Sequence, residues 1–270
     1  MGRMYTSLEF VSHFLRSRKW SAFHSPYLFK LFTHCCEDQK GNPSFKEIES
    51  RRKELQSSHE SISRRDFGAG SVYQPKEEKI PISQIAKSSL SYPFQCRFMS
   101  RLAAFSNSKL ILELGTSLGI STAYYAFGAP AARVDTVEGD PEVATKAVGL
   151  LDSLHLKNVT VHCETFDDFI AKYNLSTGKI DLLFLDGDHR MEATLQYYQG
   201  LSEHFHPGTI VIVDDIYWSK AMTTCWEKLI AFPEVTQSVD CFHFGLLFYN
   251  HDFLNKENHV IHLPFRMLMR

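Results

Sequence analysis

The sequence predicts an α/β fold: a doubly wound, mostly parallel seven-stranded sheet whose last strand runs antiparallel, preceded by a helical front end. Three observations carry this. From Leu110 onward short apolar runs alternate with amphipathic helical segments over short links, the pattern of a sheet covered by helices on both faces. The runs are unbroken rather than alternating in polarity, as strands buried on both faces should be. The last two runs, 234–240 and 243–250, lie too close together for a crossover helix and should pair antiparallel.

The elements follow in order. Residues 7–38 hold two amphipathic patterns, around Leu8, Val11 and Leu15 and then Tyr27, Leu28, Leu31 and Phe32. His24-Ser25-Pro26 separates them, with Pro26 placed to open the second helix. A charged helix is expected from Phe45 to about Gln56, then a polar, mobile loop over 57–80. A helix interrupted near Pro93 runs from Ile82 to Phe105, completing a helical cap over 1–105. In the following domain, 106–270, strands are expected at 110–114, 133–138, 159–163, 180–185 and 208–213. Helices should occupy 120–127, 141–154, 165–173, 190–204 and 219–230.

Composition narrows the function classes. The net charge of −2 gives no reason to expect a polyanion partner, although residues 1–65 are mildly basic, with 12 Lys/Arg against 7 Asp/Glu. Nucleic acid is therefore an unlikely partner, and a solvated helical face explains the basic front end. No apolar run approaches the roughly 18 residues that span a bilayer, so no membrane partner is expected. Six cysteines without a Cys-x-x-Cys pair, and no leader pattern, make a reducing cytoplasmic setting the expectation.

Ligands of such sheets bind beyond the carboxyl ends of the strands. After the first strand, Gly115 and Gly119 permit positive φ or close approach of a ligand, and Ser121 and Thr122 can cap the helix that follows. Glu138 lies nineteen residues beyond Gly119 and is placed to accept hydrogen bonds from ribose hydroxyls, leaving Asp140 before Pro141 to cap a helix. The third strand ends near Thr165 and Phe166, where a backbone amide and an aromatic edge could frame an adenine; Asp167 and Asp168 can equally charge a helix start. The polar hexapeptide Asp66–Ser71 mimics a nucleotide turn but follows no apolar strand. The fourth strand ends in Asp186-Gly187-Asp188-His189 and the fifth in Asp214-Asp215-Ile216-Tyr217-Trp218. Carboxylates so concentrated repel one another, so a hard divalent cation is one expectation and His189 is available as a base. Helix capping by Asp188 and a satisfied hydrogen bond at His189 are the structural alternatives.

Glu113-Leu-Gly-Thr-Ser-Leu-Gly119, Val137-Glu138-Gly-Asp-Pro141, Leu185-Asp-Gly-Asp-His189 and Val213-Asp-Asp-Ile-Tyr-Trp218 resemble the successive motifs of class I S-adenosylmethionine-dependent methyltransferases, which have a Rossmann-like fold. The resemblance covers about 109–250 and is nearest to the catechol and caffeoyl-CoA O-methyltransferase branch. It implies S-adenosylmethionine as cofactor, its methionine part beside Glu113, Gly115, Thr116, Ser117, Gly119 and Ser121. It places the ribose at Glu138 and Gly139, and the adenine at Thr165 and Phe166, with Asp186 beside the cofactor. The metal-dependent members imply Asp186, Asp214 and Asp215 around Mg²⁺ or another divalent ion, with Asp186 and His189 catalytic. This chain has Asp215 where that branch carries Asn, and His189 where it carries Lys. Tyr217 and Trp218 fall on the acceptor wall. The expected activity is O-methylation of a small-molecule hydroxyl. Methylation of nucleic acid or protein, and non-catalytic cofactor binding, are the rivals; a homodimer is left open.

Overall fold

The computed structural model describes residues 2–36, 43–65, 77–174, 178–249 and 255–263. The front end consists of α1 (Gly2–Arg16), β1 (Arg18–Lys19), α2 (Pro26–Cys36) and α3 (Pro43–Ser57), then β2 (Ser61–Arg65), β3 (Glu77–Pro81), α4 (Ile82–Ser88) and α5 (Pro93–Phe105). The alternating part follows as β4 (Leu110–Leu114), α6 (Ile120–Gly128), β5 (Arg133–Val137), α7 (Pro141–Ser153), β6 (Val159–His162) and α8 (Phe166–Lys172). It continues through β7 (Leu182–Leu185), α9 (Met191–Ser202), β8 (Ile210–Asp214), α10 (Lys220–Ala231), β9 (Gln237–Asp240) and β10 (Phe244–Phe248) to β11 (Glu257–His262).

The main sheet runs β1-β11-β9-β10-β8-β7-β4-β5-β6. Only β10 is antiparallel, to β8 on one side and β9 on the other. The seven expected strands are its centre and one flank. The sheet is wider than expected, however, because β11 adds parallel to β9 and β1 adds parallel to β11. Neither short, polar segment carries a strand pattern of its own; pairing to the open edge of β9 makes them strands. A second correction concerns the expected loop over 57–80, where β2 and β3 pair antiparallel from Ser61↔Pro81 to Arg65↔Glu77. Ile62 anchors that hairpin in a small cluster with Ile82, Ile85, Leu118 and Val143. The hexapeptide Asp66–Ser71 lies outside the described residues.

Local chemistry accounts for the helix starts. Ser25 Oγ accepts the Leu28 N–H at 3.3 Å ahead of the Pro26 start of α2. Asp140 caps α7, accepting from the amides of Glu142 and Val143. The break between α4 and α5 is closed by a capping box: the Tyr92 N–H donates to Gln95 Oε1 at 3.0 Å, and Pro93 follows at the first helical position.

One face of the sheet packs on α2, α5 and α6, where Phe32, Phe98 and Phe244 form a chain of rings with centroids 5.5 and 5.2 Å apart. The opposite face packs on α8, α9 and α10. The front-end helices α2 and α5 thus share the core of the sheet. Phe98 is fully buried between elements from both halves of the chain. Phe98→Ala is therefore expected to cost about 3–5 kcal/mol, cavity included, read from the urea midpoint at unchanged m-value.

Candidate active site

The strand order reverses between β4 and β7, and the carboxyl ends of the strands around that point open into a cleft of about 630 Å³. Its far wall is the α4–α5 link, including Ser91 and Tyr92, with Gln95 from the first turn of α5. Among the described residues of the front end, this link and the adjoining turns of α4 and α5 are the parts that reach the cleft.

At one end lies the glycine turn. Gly115 has φ of +113°, and a Cβ there would stand 2.1 Å from the Asp186 carbonyl oxygen, so both conformation and space require glycine. The amides of Gly115 and Thr116 donate to the Val137 carbonyl, folding the turn against β5. Gly119 caps α6 with φ of +81° and no side-chain cap. Ser121 and Thr122, expected as caps, point the other way: their hydroxyls donate to Glu113 at 2.6 and 2.5 Å, and Thr136 donates at 2.7 Å. Glu113 is fully buried, and burial pushes its carboxyl up to about 7 against the pull of those three hydroxyls. Of the residues expected around the methionine part, Gly115 and Ser117 line the cleft, whereas Glu113, Thr116, Gly119 and Ser121 do not. Glu138 does line it; one carboxylate oxygen accepts the Ser117 N–H at 2.9 Å and the other the Asp140 N–H at 3.0 Å.

Gly139, Thr165 and Phe166 form the neighbouring wall. Thr165 Oγ1 accepts the Asp168 N–H at 3.1 Å, so it also caps α8. Phe166 lies edge-on to Tyr197 at 5.4 Å and presses against Gly187, where a Cβ would meet the ring at 2.4 Å. That contact explains the glycine of the Asp-Gly-Asp sequence.

The other end is acidic. Asp214 is buried and Asp186 half-buried, and loss of hydration together with repulsion from neighbouring carboxylates holds both well above the ordinary range. Asp214 Oδ1 accepts from Gln95 Nε2 at 3.0 Å, and Asp186 Oδ2 from Ser91 Oγ at 3.4 Å. Asp215 is raised by burial and eased by His189, whose Nε2 stands 3.8 Å from Asp215 Oδ2. His189 in turn lies 6.2 Å from Trp218, which is 59% exposed at the rim. Ser117, Asp188 and Asp215 all take left-handed backbone at this edge, with φ of 47°, 57° and 52°. The carboxylates are the oxygen donors a hard divalent cation prefers, and their mutual repulsion is what such a cation relieves. They are not preset around one: among the described residues no three His, Cys, Asp or Glu side chains are arranged to hold a metal ion.

Two expectations are corrected. Tyr217 is not on the cleft; it is 5% exposed and turned away, its hydroxyl donating to Asp240 Oδ2 at 2.6 Å. Asp188 does not cap a helix through its side chain: its carboxylate pairs with Arg190 and accepts from Tyr197 Oη at 3.0 Å. Sequence reasoning missed Ser91, Gln95 and Arg190 on the cleft. For Gln95 a signal existed, a Tyr-Pro-x-Gln helix start with glutamine at the third helical position.

Known proteins resemble this chain in sequence and in fold. Residues 112–216 match a family model described as a methyltransferase domain. A catechol O-methyltransferase from Niastella koreensis is 31% identical over 127 residues, 46% of this chain and 57% of that protein. One from Mycobacterium tuberculosis is 32% identical over 124 residues, 45% and 54% of the two chains. The chain thus spans little more than half the length of the curated relatives it matches. Among solved structures, the O-methyltransferase TomG of Streptomyces achromogenes with S-adenosylmethionine superposes at a TM-score of 0.57, with 17% identity, 78% of this chain and 91% of that one covered. The Bacillus cereus O-methyltransferase with S-adenosylhomocysteine gives 0.55 at 17% identity, covering 78% and 93%. The chain therefore shares the Rossmann-like fold of these structures, with the cleft at its strand-order reversal.

Two expected outcomes follow from the glycine turn of the domain. Gly115→Ala must displace the Asp186 backbone and is expected to cost upwards of ~3 kcal/mol, measured by chemical denaturation. Glu113 keeps its proton in the folded protein between its ordinary value of 4.5 and about 7, a range in which the unfolded chain has lost it. Stability should accordingly fall as pH rises through that window, by of order 3 kcal/mol, and level off above it. Glu113→Gln should flatten the slope in denaturation midpoints taken from pH 4.5 to 8.

Proposed function

We propose that the protein transfers the methyl group of S-adenosylmethionine to a hydroxyl oxygen of a small molecule. The observation that carries this reading is one continuous cleft with the Gly115 turn and Glu138 at one end and Asp186, His189, Asp214 and Asp215 at the other. Glu138, held by the amides of Ser117 and Asp140, is oriented to accept the two ribose hydroxyls. Phe166 and Thr165 offer the adenine an aromatic face and a polar edge. When bound, S-adenosylmethionine supplies a methyl group already activated by its sulfonium, so the chain has to align the acceptor and receive its proton.

We assign that proton to His189. Its imidazole lines the cleft, and the nearby Asp215 carboxylate offsets the charge it gains. Gln95 from the first turn of α5 and Ser91 from the α4–α5 link hold Asp214 and Asp186 in place. A divalent cation is part of the proposal on donor chemistry alone: Asp186, Asp214 and Asp215 would hold it, and it would lower the pKa of the acceptor hydroxyl. Trp218 at the rim gives the acceptor an apolar wall. The names of the relatives make catechol the natural first probe.

The test is calorimetry with S-adenosylhomocysteine, followed by transfer of radiolabelled methyl to catechol and to a cell extract, with Mg²⁺ and with chelator. Asp186→Ala and His189→Ala should each lower kcat by ~100-fold or more, and His189→Ala should leave S-adenosylhomocysteine affinity nearly unchanged. Full turnover by both variants would reject the mechanism; wild-type turnover undiminished in chelator would reject the cation.

A further inference from the structure

We infer that Tyr217 is a positioning residue: from behind the cleft it holds the turn that carries Asp215 and Trp218, and α1 braces it there. This rests on the proposed reading of the cleft.

Tyr217 lies between the two acidic-end residues in sequence but faces the opposite way. Its hydroxyl donates to Asp240 Oδ2 at 2.6 Å and accepts from Arg16 Nη2 at 3.4 Å. Its ring stacks on Phe242 with centroids 5.2 Å apart and planes 19° apart. The other oxygen of Asp240 meets His13 Nε2 at 3.2 Å and accepts the Phe242 N–H at 2.9 Å. His13, Asp240 and Tyr217 are all nearly inaccessible to water, at 2%, 4% and 5% exposure. A buried carboxylate served by three donors leaves little freedom to any of them.

The constraint passes to the cleft through the β9–β10 turn. Phe242, held at φ of +71°, sets the next residue, His243, whose carbonyl accepts the Asp215 N–H at 2.8 Å. The His243 ring lies edge-on to Tyr92 and Phe94 at 5.3 and 5.4 Å. Both the Asp215 turn and the Tyr92 wall are therefore referenced to the turn that Asp240 anchors. From α1, Tyr5 Oη donates to Thr223 Oγ1, which donates to the Ile216 carbonyl, and Thr6 Oγ1 donates to the Tyr217 carbonyl. Four α1 side chains thus reach the back of the 214–218 turn or its Asp240 anchor. Removing the Tyr217 hydroxyl leaves one oxygen of a buried carboxylate without its closest donor and loosens the turn at its centre.

The test compares the full chain with Tyr217→Phe, Asp240→Asn, His13→Ala and His13→Gln, by hydrogen exchange, S-adenosylhomocysteine binding and catechol methylation. Tyr217→Phe and Asp240→Asn should speed exchange by ~10-fold or more in peptides covering 214–219 and 241–244. Exchange in β4 and β5 and affinity for S-adenosylhomocysteine should stay at wild-type levels. With catechol as the acceptor, KM should rise more than kcat falls, and His13→Gln, which keeps a donor to Asp240, should recover what His13→Ala loses. Unchanged exchange over 214–219, or a rise spread evenly over the chain, would overturn the inference. Exchange and S-adenosylhomocysteine binding need no turnover, so a chain that methylates neither catechol nor any component of a cell extract refutes the proposed reaction without deciding this one. Tyr217→Phe keeps the stacked ring and carries the test should Asp240→Asn not fold.

Discussion

The buried carboxylate of Glu113 is the interaction on which the cofactor end of the cleft depends. It sits on β4, and its three donors come from two other elements, Ser121 and Thr122 on α6 and Thr136 on β5. A carboxyl group without water needs every lone pair occupied. Meeting that need pulls the start of α6 against the strands and leaves the glycine turn only one path, under the Asp186 carbonyl. Glu138 and Ser117 then face the cleft because the turn beneath them is held by a group that never reaches it.

The acidic end is organised differently. Asp186 and Asp214 are brought together by adjacent parallel strands, and sheet geometry forces the approach whatever their charges prefer. Their elevated pKa values reflect first the loss of hydration and then the repulsion of that approach, and the donors Gln95, in the first turn of α5, and Ser91, in the α4–α5 link, offset part of it. The left-handed turns at Ser117, Asp188 and Asp215 are strain of the kind that surrounding packing must sustain. Behind Asp215 that packing is the Asp240 network and α1, so a helix remote in sequence is wired to the cleft edge.

Much of this was legible in the chain. The order and type of the elements from β4 to β10 followed from apolar runs and their spacing, because a strand buried on both faces has no polar alternation to obscure it. The strand-end residues could be read because ligands of such sheets bind where strands stop. The edge strands β1 and β11 and the β2–β3 hairpin were not legible: their residues are short or polar, and only a partner strand makes them strands. Side-chain direction was not legible either. Tyr217 and Trp218 are neighbours in sequence, yet one is buried against Asp240 and the other stands at the rim, since the turn sends consecutive side chains to opposite sides.

By itself the sequence determined the doubly wound sheet, the glycine turn and the concentration of acidic residues beyond the fourth and fifth strands, because periodicity and residue type suffice for those. Only the tertiary structure decided which of these residues face the cleft and which hold it up. Glu113, Ser121 and Tyr217 carry groups as polar as those of Glu138 and Asp186, and their roles differ through burial and the direction of each bond. Those are properties of the packed chain, set by contacts that range from 8 residues apart, between Ser121 and Glu113, to 201 apart, between Arg16 and Tyr217.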